Sequence, residues 1–196
     1  MVGPTDSGKT FLVADLLARW RWKVLIATKR KDKTYSRYST FRKRESWRRD
    51  WYDDAIFLHA RPKQLGNTSE QKAVVYECLS AVFEQGGWTV VLDDLYYIST
   101  TLKLKESVQM MYTQVRSGDI TMLANIQRPQ WNPLECLSQA KYVIVFKIYE
   151  EKDIARVAEA TSINSKQLMN AIAGLHAENH EFLFIQQGSQ KLLKVA

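Results

Sequence analysis

A chain of 196 residues with 45% hydrophobic side chains suits one α/β domain with a sizeable core. It has no apolar run long enough to cross a bilayer, so no membrane partner, and a cytoplasmic location without a leader, are expected. Cys78 and Cys136 are too few for a disulfide framework, and His176 and His180, which could share a helix face, lack a third ligand for zinc. The net charge of +7 is local: residues 29–49 carry ten Lys and Arg against Asp32 and Glu45, the footprint of a polyanionic partner.

In chain order, Gly3-Pro4-Thr5-Asp6-Ser7-Gly8-Lys9-Thr10 fits the phosphate-binding pattern G-x-x-x-x-G-K-[ST] without mismatch. Its glycines let successive backbone N–H groups face one anion, and the helix expected from Phe11 to Trp20 offers its positive end. Lys9 is placed to reach the β- and γ-phosphates of ATP, and the Thr10 hydroxyl to ligate Mg²⁺. Only Met1 and Val2 stand where a strand should lead into the loop. Either earlier residues are missing or another segment supplies that strand.

The run KVLIAT (23–28) reads as a strand. The basic stretch follows, from Lys29, Arg30, Lys31 and Lys33 through Arg37 to Arg42, Lys43 and Arg44, with Tyr35, Tyr38, Phe41, Trp47, Trp51 and Tyr52 interleaved. It has no clean period and reads as a loop, 29–53, with a turn or two of helix; its aromatics are expected to pack locally. A strand at 55–60 and a helix from Thr68 or Ser69 to Gln85, stopped by Gly86-Gly87, come next. WTVVL (88–92) is apolar throughout, as a strand buried on both faces should be, and ends in Asp93-Asp94. A helix at 104–116, a strand at 120–126, a short helix at 134–140 and a strand at 142–148 continue the alternation. Helices at 151–160 and 165–176 and a hairpin of 182–186 with 191–195 close the chain. The order predicts a three-layer α/β P-loop NTPase fold, ASCE/RecA-like, with a largely parallel sheet and a small C-terminal helix-plus-hairpin appendage. Residues 1–150 form the expected ATPase core, and 151–196 belong to the same domain.

Asp93-Asp94 after a buried strand has the form of a Walker B element: Asp93 would orient Mg²⁺ and Asp94 would polarise the attacking water. Gln127, at the end of the 120–126 strand, would face the ligand edge of the sheet, where a carboxamide can bond both γ-phosphate and water. The structural alternatives are a solvated Asp pair after a strand and a Gln that merely caps the turn before Pro129.

Taken together, GPTDSGKT, VVLDD and QVRSGDITMLANIQRP resemble the FtsK–HerA superfamily of ring-forming DNA-pumping ATPases. The resemblance runs from Gly3 to about Ile148, and the Gln-Arg-Pro strand is its most discriminating part. It implies nucleotide and Mg²⁺ binding by the loop, metal and water roles for Asp93 and Asp94, and a sensor role for Gln127. Arg116 matches the region that offers an arginine finger to a neighbour's nucleotide, with Arg128 in reserve. Asp94 stands where Glu is common, and Asn125-Ile126 replaces the usual small residue and Thr.

A bare core of this length looks like a viral double-stranded DNA packaging ATPase, which implies a homo-oligomeric ring (a pentamer or hexamer). DNA would then lie along the basic stretch, with the portal a possible partner in the host cytoplasm. The alternatives are a plasmid or chromosomal translocase or helicase of the same superfamily, and a nucleotide-dependent binding module with little turnover.

Overall fold

The computed structural model describes residues 1–20, 22–29, 34–35, 56–59 (backbone), 68–189 and 191–196. They fall into two compact units, Thr10–Ala124 and Met1–Lys9 with Asn125–Ala196.

The first unit is built on a four-stranded parallel sheet, ordered β2-β1-β3-β4, from β1 (Lys23–Ala27), β2 (Ile56–His59), β3 (Thr89–Leu92) and β4 (Thr121–Ala124). Every residue of β1 and β3 is buried, which explains why KVLIA and TVVL are nearly continuous apolar runs rather than alternating ones. Parallel neighbours need crossovers: α2 (Ser69–Gln85) lies between β2 and β3 in sequence and α3 (Lys105–Gln114) between β3 and β4, while α1 (Lys9–Leu17) precedes β1. Val13, Leu17, Val75, Cys78, Leu79, Val82 and Val108 supply their buried positions.

Thr68 occupies the N-cap of α2 without a side-chain bond. At the other end, Gly86 has φ 65° and ψ 177°, a conformation open essentially to glycine. A Cβ there would meet the Gly118 carbonyl oxygen at 2.5 Å, and the Gly87 N–H donates to that same oxygen at 2.8 Å. The helix expected to run to Arg116 stops sooner. α3 ends at Gln114, and Arg116 lies in a 3₁₀ turn, Val115–Gly118, closed by Asp119 in the left-handed region. β3 is followed by a segment not foreseen, the π-helical turn Tyr97–Thr101.

The second unit carries the antiparallel sheet β5-β6-β7, of β5 (Tyr142–Phe146), β6 (Phe182–Gln186) and β7 (Leu192–Val195). With it come α4 (Glu135–Ser138), α5 (Glu151–Thr161) and α6 (Ser165–Ala173), whose Ile154, Val157, Leu168 and Ile172 are buried. α6 opens on Asn164, whose side chain accepts the Gln167 N–H. It ends at Ala173 before Gly174, three residues short of the expected end. His176 and His180 therefore flank a separate 3₁₀ turn, Ala177–Asn179, and share no helix face. Cys78 and Cys136 are free and buried, and burial pushes the Cys136 thiol up to about 12. Among the described residues no helix is long and apolar enough to cross a membrane.

Candidate active site

Val2 leads into the phosphate-binding loop. It bridges in parallel to Ile126 on one side and to Val145 of β5 on the other. Its N–H donates to Ile144 and its carbonyl accepts from Phe146, while Ile126 donates to the Met1 carbonyl. This fully buried residue pairs where a strand leading into the loop is expected. The Gly3 N–H then donates to the Ile126 carbonyl at 3.0 Å, so Gln127 directly follows the residue that anchors the loop. The Gln127 carboxamide is half-buried and makes no hydrogen bond among the described residues.

The loop curls through left-handed backbone at Asp6 (φ 63°) and Gly8 (φ 99°). A Cβ at Gly3 would come within 2.8 Å of both the Phe146 Cβ and the Ser7 Oγ, which leaves no room for a larger residue. Lys9, the first residue of α1, is 6% exposed, and its ammonium donates to the carbonyls of Gly3 and Pro4 and to the Ser7 hydroxyl. Against Gly8 stands His180: a Cβ on the glycine would lie 3.4 Å from the histidine's Cβ, Cγ and Nδ1. Nothing in the sequence signals this neighbour, because the two residues meet only through the fold of the C-terminal segment. The Thr10 hydroxyl, in the first turn of α1, makes no hydrogen bond among the described residues.

In the parallel-sheet unit, Asp93 leaves the end of β3 buried, its N–H donating to the Ile26 carbonyl of β1. Its Oδ1 accepts from the Tyr35 hydroxyl at 3.2 Å, a contact 58 residues apart in sequence. Asp94 is half-buried and its Oδ1 accepts the Tyr97 N–H at 3.0 Å, capping the helical segment that follows. Hard oxygen donors of this kind suit Mg²⁺, which takes few protein ligands and fills its shell with phosphate and water. No cluster of three or more His, Cys, Asp or Glu that could hold a metal by itself occurs among the described residues.

The two arginines differ. Arg128 is engaged within its own unit: Nε lies 2.7 Å from Oδ2 of buried Asp153, and the guanidinium stacks 4.7 Å over Trp131. Arg116 is exposed and its side chain has no partner among the described residues. Of the basic stretch, Lys29 is described and half-buried; Arg30, Lys31, Lys33, Arg37, Arg42, Lys43 and Arg44 lie outside the described residues. Tyr35, the one aromatic of that stretch that is described, is fully buried, and so is no platform for stacking bases.

A P-loop whose lead residue pairs on both sides in parallel, in a chain that also carries a parallel sheet with a strand ending in two aspartates, defines a P-loop NTPase fold of the ASCE/RecA-like kind. Comparison with solved structures agrees. The chain is similar over 100% of its length to the genome-packaging NTPase B204 from Sulfolobus turreted icosahedral virus 2 in complex with AMPPCP, with 94% of that chain covered, TM-score 0.76 and 15% identity. The ATP-γS complex of the same NTPase matches at TM-score 0.73 and 15% identity, again over 100% of this chain and 94% of that one. B204 from Sulfolobus turreted icosahedral virus, described as a DNA-packaging ATPase, matches at TM-score 0.70 and 13% identity over the same shares. At such identities the likeness is one of fold. No family model matches the sequence, and no curated protein does.

Proposed function

We propose that this chain is an ATP-hydrolysing motor domain that moves double-stranded DNA, of the viral genome-packaging kind, acting as a homo-oligomeric ring. The observation that carries the reading is the loop's own geometry: an intact Gly3–Thr10 P-loop pinned to Ile126, with an unengaged Gln127 next in sequence. Two solved structures of similar fold are of a viral genome-packaging NTPase in complex with ATP analogues, which supports the same class of ligand here.

In this reading the backbone from Gly3 to Thr10 cradles the phosphates, and Lys9 exchanges its loop oxygens for phosphate oxygens when nucleotide arrives. Mg²⁺, held by the Thr10 hydroxyl and through water by Asp93, would neutralise charge on the phosphates. Asp94 orients the attacking water, and Gln127 bonds water and γ-phosphate together. Arg116, exposed and unengaged, serves as the finger offered to a neighbouring subunit, while Arg128 is held by Asp153. Basic residues 29–44 track DNA phosphates without reading sequence, as a pump that accepts any sequence requires. The whole chain acts as one ATPase domain in the host cytoplasm, docking at a capsid portal.

A nucleotide-dependent binding module with little turnover is the second reading. What favours it is Asp94, whose shorter side chain already accepts the Tyr97 N–H.

The test is steady-state ATP hydrolysis in Mg²⁺ by wild type and Lys9→Ala. The expected result is a loss of about a hundredfold or more in kcat, the scale of removing one preorganised transition-state donor. Nucleotide binding with no measurable turnover in the wild type would favour the second reading, and equal activity in both proteins would contradict the site.

A further inference from the structure

The phosphate-binding loop has a neighbour that its sequence pattern does not include. β6 runs antiparallel to β5 and begins, at Phe182, opposite Phe146, the last residue of β5. Val2 bridges in parallel to Val145 of β5, so β6 starts at the same sheet edge at which Gly3 opens the loop. Open α/β sheets bind their ligands at that edge. His180, two residues before Phe182, meets the loop there: a Cβ on Gly8 would lie 3.4 Å from its Cβ, Cγ and Nδ1. The imidazole is exposed and makes no hydrogen bond among the described residues.

The segment around His180 holds it in place. The residue stands in left-handed backbone (φ 55°, ψ 28°), which a histidine adopts at a cost and a glycine does not. Its N–H donates to the Ala177 carbonyl at 3.1 Å, and the Glu181 N–H donates to the His176 carbonyl at 3.3 Å. The Glu181 carboxylate closes the turn, accepting from the His176 N–H at 2.6 Å and from Lys194 of β7 at 2.8 Å. A ring fixed in this way is presented to the loop by the fold.

We propose that His180 is a phosphate-contacting residue of the nucleotide site, donating an imidazole N–H to the phosphate chain cradled by Gly3–Thr10. The inference rests on the nucleotide role proposed above. The ring meets Gly8, which lies inside the cradling run and directly before Lys9, so the contact falls beside the phosphates. Gly8 has no side chain to stand between the ring and the loop's amides. An imidazole carries at least one N–H whether neutral or charged, and a hydrogen bond to an ionised acceptor is the stronger kind. Stacking on the nucleotide base is the competing use of the same ring, and a ligand without a base separates the two.

The experiment measures, in Mg²⁺, the affinities of a non-hydrolysable ATP analogue and of inorganic tripolyphosphate for wild type, His180→Phe and His180→Gln. The first variant keeps a ring without a donor, and the second keeps a donor without a ring. In His180→Phe both ligands should weaken about tenfold or more, the scale of losing one hydrogen bond to a charged group. His180→Gln should recover most of that loss. Wild-type affinity in His180→Phe overturns the proposal, and so does a loss confined to the analogue, which would put the ring on the nucleoside. A loss that His180→Gln shares in full overturns it as well. Each of these results leaves the ATPase reading intact, whereas a wild type that binds neither ligand overturns both. If thermal melts show His180→Phe to be misfolded, the decision passes to His180→Gly, which suits the left-handed backbone. That variant must weaken both ligands, and unchanged affinity there overturns the proposal.

Discussion

Lys9 is satisfied by oxygens of its own loop, the Gly3 and Pro4 carbonyls and the Ser7 hydroxyl. A buried ammonium needs such partners, and nucleotide phosphates are stronger acceptors that take their place in the proposed cycle. The same principle sorts the arginines, because a guanidinium committed to a buried carboxylate, as Arg128 is to Asp153, would strand that charge if it left. A further residue-scale case is Glu181, buried at the start of the C-terminal hairpin. Its Oε2 accepts from the Lys194 ammonium at 2.8 Å and from the His176 N–H at 2.6 Å. The Lys194 bond first, and the backbone bond second, hold its carboxyl below the usual range. A depressed carboxyl stabilises the fold above the unfolded-state value, about 4.3, and that contribution disappears as pH falls through the lower folded-state value. Wild type should therefore melt above Glu181→Gln at neutral pH, with the gap closing below about pH 4. A gap independent of pH, in thermal melts across that range, would contradict the role of the charge.

At the scale of elements, much was legible. Buried parallel strands must be apolar on both faces, so β1 and β3 stood out as KVLIA and TVVL, and the loop showed itself through residue types that only its geometry requires. What was not legible involves partners far apart in sequence. That Val2 alone would pair with both Ile126 and Val145 depends on register, which no local pattern encodes. Tyr35 looked like one aromatic among six, and His180 like half of a helix face, until the fold put them against Asp93 and Gly8. The helix ends were misjudged for a different reason. The periodic pattern continues past Gln114 and Ala173, but a 3₁₀ turn with a left-handed exit at Asp119 takes over after the first, and the second gives way to a turn at Gly174. The Gly86 turn, by contrast, follows from its glycines. Gly86→Ala forces a side chain into glycine-only backbone and onto the Gly118 carbonyl, so it should cost about 1–3 kcal/mol in urea unfolding. A variant as stable as wild type would show that the turn is not built as described.

For the whole molecule, the sharp division of charge is the feature that composition makes plainest. Residues 29–49 carry a net +8 while the rest of the chain carries −1, so electrostatic attraction to a polyanion is confined to one stretch. On the function proposed above, the chain would grip DNA there and offer Arg116 to a neighbour, an arrangement that a lone chain cannot complete. Its activity should depend on assembly, and assembly on concentration. The most direct measurement is steady-state ATP hydrolysis across a series of protein concentrations, with and without double-stranded DNA. The account predicts that turnover per chain rises with concentration and rises again when DNA is added. Turnover per chain that stays constant across the series and ignores DNA would contradict it.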